Sequence, residues 1–190
     1  MPSSTSVSNF GLQLLGAKRI TDLTENSNNA RSCSACFELI ARAELEKGLW
    51  TFSLERATIS ADAATPSWGR AYSFTLPSDF IRRAPPYNED VNPVDDYEIE
   101  GQKVYTNMSA PFYLRYVKWV EDVNFWSPLF CIAVGSRMAS HMCEEITQSN
   151  TKKVAADQAY KDAIREALRT NALQKPPSDT PDSSWITDRI

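Results

Sequence analysis

The chain has 190 residues, 42% hydrophobic and 23% charged, with a formal net charge of −4 and a pI near 5.1. That length supports one domain with a real core, and the composition is ordinary for a globular protein. A domain built for avid, general DNA binding is expected to be basic, and a transmembrane helix needs a run of about 18 apolar residues; the sequence has neither property.

The opening MPSSTS lacks a basic region followed by an apolar core, so no secretory leader is expected. Residues 8–16 (SNFGLQLLG) read as a short helix, capped by Ser6 or Ser8 and ended by Gly16. Residues 17–23 read as an extended connector with Ile20 and Leu23 turned inward. A second helix starts at Asn26 or Ser27 and ends at Gly48. Its Ala30, Cys33, Phe37, Ile40, Ala41 and Leu45 recur three or four apart, which places one stripe against a core.

The period then changes. Residues 49–57 (LWTFSLERA) alternate and suit a strand or a tight corner, and 66–77 (PSWGRAYSFTLP) hold a second alternating run. Residues 78–83 read as a single turn and 85–90 (PPYNED) as a loop. Two strands bracket Glu100, Gly101 and Gln102, a natural hairpin turn, and 112–117 (FYLRYV) form another strand. Pro128 fits the first turn of a third helix, whose stripe is Phe130, Ala133, Val134, Met138, Met142 and Ile146. After a break at 147–150, Ser149 or Asn150 caps a last helix. Its Ala156, Tyr160, Ala163, Ile164, Ala167 and Leu168 share one side, while Lys161, Arg165, Glu166 and Arg169 face elsewhere. The helical pattern closes on Lys175, Pro176 and Pro177. Residues 178–190 are too polar and Pro-rich to build a core, yet they carry Trp185, Ile186 and Ile190. Such a tail is either a disordered end or a hook for another chain.

The sum is an α+β fold: a four-helix bundle, a small antiparallel β subdomain inserted between helices 2 and 3, and an extended C-terminal tail. The expected limits are 1–48 for helices 1 and 2, 49–122 for the β insert, 123–174 for helices 3 and 4, and 175–190 for the arm.

Chemistry-bearing motifs are sparse. Cys33 and Cys36 form a CxxC, but Cys131 and Cys143 are too far apart to supply a second close pair for zinc. The CxxC lies inside a helical run instead of opening a helix after a strand, so all four cysteines read as small apolar residues. His141, the lone histidine, reads as structural or surface. No Gly-rich phosphate loop, GxSxG, HExxH or EF-hand loop appears, and no cofactor is expected. Glu89, Asp90, Asp95, Asp96, Glu98 and Glu100 form an acidic cluster. Asp95, Asp96, Glu98 and Glu100 admit a metal-dependent hydrolase as the alternative function. Against it, Glu98 and Glu100 share one strand face and read first as a solvated edge. Acidic residues along a passage would also repel DNA. Arg82 and Arg83, with Phe80 and Tyr87 nearby, suit a nucleic-acid contact or an acidic partner. Trp50 and Trp126 stand at helix–sheet junctions and read as core. Trp68, between Pro66 and Gly69, fits core or interface; Trp185 has no local element to bury it and suits an interface anchor.

Several runs follow one another in a telling order: LLGAKRITDL at 14–23, NARSC at 29–33, LWTFSLERA at 49–57, YSFTLPSD at 72–79 and YEIEG at 97–101. This succession resembles the tail tubular protein A family, the head-to-tail adaptor or gatekeeper proteins of T7-like podophages, across about residues 10–168. The resemblance implies a helical bundle plus a β domain and a structural virion protein, not an enzyme. It implies a homo-oligomeric ring, expected to be twelve-fold, in the neck of the virion under the portal protein. Such a ring extends the channel for genomic DNA without sequence-specific binding and offers a platform to the next tail or nozzle protein, with no membrane involved. In the family the C-terminal segment clasps the portal. Here that role falls on residues 175–190, with Trp185, Ile186 and Ile190 as the docking anchors. Glu89, Asp90, Asp95 and Asp96 become a candidate acidic loop facing the channel or the next ring. Loops 60–67 and 85–93 are both placed to reach the lumen or the next ring.

Overall fold

A computed structural model of the chain describes residues 2–85 and 97–174. The helices are α1 (Ser4–Leu14), α2 (Asn28–Lys47), α3 (Pro128–Thr147) and α4 (Asn150–Leu173). Between α2 and α3 run β1 (Leu54–Ile59), β2 (Tyr72–Thr75), β3 (Phe80–Arg83), β4 (Tyr97–Glu100), β5 (Lys103–Thr106) and β6 (Phe112–Lys118). The chain is therefore mixed helix and sheet, with its strands between two pairs of helices. The predicted acidic loop residues Glu89, Asp90, Asp95 and Asp96, and the predicted anchors Trp185, Ile186 and Ile190, lie outside the described residues.

Helix starts follow side-chain caps. Ser27 accepts from the Ala30 N–H, Ser127 from Phe130 and Ser149 from Lys152, each satisfying a donor that the first turn leaves open. α1 starts earlier than Ser6 or Ser8 would place it. Its cap is Ser3, whose hydroxyl accepts from the Ser6 N–H at 3.1 Å while Ser6 Oγ accepts from the Ser3 N–H at 2.7 Å. A serine stands where a capping box normally shows Glu or Gln, so the motif is quiet in sequence. Ser8 is instead buried and donates to the Ser4 carbonyl at 2.8 Å.

α1, α2 and α4 all pack on α3. Within residues 133–140 every position except Arg137 is buried, so α3 is covered nearly all round and not along one stripe. The α1–α3 crossing is close because both helices offer glycine there. A Cβ on Gly135 would sit 2.8 Å from Phe10 Cδ1 and 2.9 Å from the Val7 carbonyl oxygen; one on Gly11 would sit 2.8 Å from the Gly135 carbonyl oxygen.

Among the described residues the strands form two three-stranded antiparallel sheets, ordered β1-β6-β3 and β2-β5-β4. Gly101, at φ 58°, opens the two-residue turn of the β4–β5 hairpin, where the left-handed region favours glycine. Residues 78–83 are not a single turn. The Phe80 N–H donates to the Pro77 carbonyl at 3.1 Å, and the chain then enters β3. A register shift between Phe80 and Arg82 breaks the simple alternation that would have marked this strand.

β6 is the wall shared by two cores. Phe112, Leu114 and Tyr116 meet Phe74, Leu76 and Val104 between the sheets. Val117, on the opposite face, joins the helical core with Trp50, Trp126 and Phe130. Trp50 and Trp126 are buried as expected, and each indole N–H reaches a carbonyl at 2.9 Å, of Glu44 and Val120 respectively.

Candidate interaction surface

The segment between β1 and β2 carries the most exposed large hydrophobic side chain of the described residues, Trp68. Asp62 fastens it to the second sheet. Its carboxylate accepts from Lys103 Nζ at 2.8 Å, from Thr75 Oγ1 at 2.8 Å and from Ser73 Oγ at 3.0 Å, and its N–H donates to the Ser73 carbonyl at 2.8 Å. The Lys103 hydrogen bond, then that of Thr75, holds the Asp62 carboxyl down at about 2. At the other end Arg70 pairs with Glu98 at 2.9 Å, and the Ala71 N–H donates to Asn107 Oδ1 at 3.1 Å. A loop tied at both ends in this way displays Trp68 with 88% of its surface exposed. The sequence left Trp68 open between core and interface; its exposure excludes the core. It borders an open cleft of about 320 Å³ lined also by Pro66, Glu98, Glu100, Lys103 and Tyr105.

Glu98 and Glu100 lie on β4, an edge strand, and both are exposed, as their strand-face reading implies. Glu98 is engaged by Arg70. Among the described residues no three His, Cys, Asp or Glu side chains stand close enough to hold a metal ion. The cysteines are spread over helix faces. Burial pushes the Cys33 thiol up to about 11 and Cys36 up to about 12, which suppresses the thiolate that redox or nucleophilic chemistry needs. Cys131 is likewise pushed up to about 11 by burial. His141 is exposed on α3.

The basic pair on β3 does not form a free patch with Phe80. Phe80 stacks on Tyr116 in the inter-sheet core, with centroids 5.7 Å apart. Arg83 lies over the Tyr97 ring, 3.9 Å from its centroid, and donates to the Tyr97 hydroxyl. Tyr87 lies outside the described residues.

A polar cluster that periodicity misses joins α2 to α4. Glu44, 1% exposed, accepts from Lys47 Nζ at 2.6 Å and from the Tyr160 hydroxyl at 3.0 Å. Burial alone would lower Lys47, but its hydrogen bonds to Glu44 and Tyr160 leave it raised. Burial, by contrast, raises Tyr160. Glu44 lies one position before Leu45 of the apolar stripe, and its partner is 116 residues away, so only the fold reveals the pair. Further polar ties hold α4. Lys152 Nζ donates to the Leu15 carbonyl at 2.8 Å, and Asn171 Nδ2 to the Leu49 carbonyl at 2.8 Å. Only Ala156 and Ala167 of α4 are fully buried.

No protein-family model matches the chain, and no curated protein sequence matches it. No helix of the described residues is long and apolar enough to cross a membrane.

Proposed function

We propose that the chain is a head-to-tail adaptor of a phage virion. It assembles as a ring under the portal protein, extends the DNA channel and carries the next tail component. The observation that supports this most is the order of elements. Among the described residues two helices, six strands in two sheets and two helices follow one another, and the tail tubular protein A resemblance implies a helical bundle plus a β domain. Three of the five runs that carry the resemblance, 14–23, 49–57 and 72–79, sit where elements of this fold meet. Leu15 and Ile20 are buried where α1 hands over to α2, Trp50 where α2 meets the sheets, and Phe74 and Leu76 between the sheets. Residues at such joints set how a bundle and a β insert are held together, so their order belongs to the architecture and not to composition.

A ring subunit also needs faces that its own chain leaves uncovered. Trp68, at 88% exposure, and the outer side of α4 provide two. In this reading the helices form a four-helix bundle around α3, residues 175–190 are the arm that grips the portal, and the ring is twelve-fold. Retention on immobilised, purified portal protein tests the arm. The full chain is expected to be retained. A chain lacking residues 178–190 is expected to keep its circular dichroism and lose retention by at least tenfold. Equal retention of the two would remove the arm from the proposal.

A further inference from the structure

We infer that the Trp68 cleft of one subunit receives the outer face of α4 from a second copy of this chain, an inference that rests on the ring reading above. The cleft offers one aromatic plane and one uncompensated charge. Arg70 pairs with Glu98 at 2.9 Å and Lys103 with Asp62 at 2.8 Å, which leaves Glu100, exposed and without an ion pair among the described residues. An indole beside a free carboxylate suits a cationic side chain on an apolar support: the cation lies over the ring and pairs with the carboxylate, while the support covers the indole edge.

α4 presents that combination. Lys161, Arg165, Arg169 and Leu173 recur every four residues and form one exposed ridge, with Leu168 beside it. Leu173 is 78% exposed and Leu168 is 37% exposed. Lys161 and Arg169 make no ion pair among the described residues. Arg165 meets Asp162 at 3.2 Å in an exposed pair within the same helix, which competes weakly with a partner. The two surfaces belong to different parts of one protomer: the cleft to the β2-β5-β4 sheet, the ridge to the helix that packs on α3. The ridge itself carries three cations and the cleft one carboxylate outside an ion pair, and each carries exposed apolar surface, so each supplies what the other lacks. A contact between two different patches is head-to-tail, and head-to-tail contacts close into rings when the rotation permits.

Two variants of the full chain test this, each damaging one surface. The first carries Trp68→Ala with Glu100→Gln; the second carries Lys161→Glu with Arg169→Glu. All four side chains are exposed, so both variants are expected to keep the wild-type circular dichroism. Assembly is read by sedimentation velocity of the free chain and by cross-linking on purified portal. Wild type is expected to give the ring. Each variant alone is expected to associate roughly 30-fold or more weakly, the loss typical of cutting an aromatic anchor in the first and of setting like charges against each other in the second. An equimolar mixture of the two is expected to give a dimer and nothing larger, because one good cleft and one good ridge remain per pair. Rings from either variant at the wild-type concentration, or a mixture that stays monomeric, would overturn this contact and leave the ring reading standing. A wild type that forms no ring, free or on portal, would overturn the ring reading and this inference together.

Discussion

In the helical part, one helix is enclosed by three others, and the polar groups that enter find partners inside. Glu44 meets Lys47 and Tyr160, and the indoles of Trp50 and Trp126 reach buried carbonyls. Between the sheets the core is six buried side chains, and the loop hung beside it turns Trp68 to the outside. Both regions are rich in aromatic residues, yet they use them in opposite ways. In the helical core Trp50, Trp126 and Phe130 lie edge to face, with Trp50 4.8 Å and Trp126 5.1 Å from Phe130. In the β half a tryptophan stands in solvent while hydrogen bonds and ion pairs hold the segment that bears it. The contrast is between aromatic side chains that hold a core together and one that a tied loop leaves exposed.

The largest effect on that contrast is expected at the α1–α3 crossing. Gly135→Ala places a methyl against backbone, at the Val7 carbonyl oxygen, as well as against Phe10. Backbone cannot turn aside as a side chain does, so the helices must part, at a cost of about 1–3 kcal/mol. Urea unfolding measures this. A change within a few tenths of a kcal/mol would show that the helices are not held at this distance.

A smaller effect is expected at the loop anchor. The folded Asp62 carboxyl titrates at about 2, against about 4 in an unfolded chain. Its folded pKa is depressed, so the stability it contributes is present above pH 4 and is lost as pH falls toward 2. Asp62→Asn removes the charge on three hydrogen bonds and is expected to cost about 1 kcal/mol at neutral pH, at a partly solvated site. Amide protection at the Asp62 N–H, which bonds to Ser73, should fall between pH 4 and 2.5 in wild type after correction for intrinsic exchange. It should start low and stay flat in the variant. The same acid step in both chains would break the link between this carboxylate and the displayed loop.

The helices were legible because their signals are local. Ser27, Pro128 and Ser149 act within one turn, and the stripes of α2 and α3 repeat at helical spacing. The strand at 80–83 was not legible, since its bulge hides the alternation, and neither was the division of the strands into two sheets, because pairing joins residues far apart such as Leu54 and Val117. The sequence points to a later cap for α1 because a serine, Ser6, does the work of the usual Glu. Glu44 is not legible in the sequence because a carboxylate beside an apolar stripe declares itself only through Tyr160. Trp68 could be named from sequence, but its exposure depends on anchors at Asp62 and Arg70 whose partners, Lys103 and Glu98, lie on other strands.

Electron microscopy of the full chain mixed with purified portal protein tests the adaptor reading most directly. Class averages are expected to show an added ring of density, twelve-fold and coaxial with the portal. Portal particles that stay bare at saturating concentrations of a folded chain would contradict it.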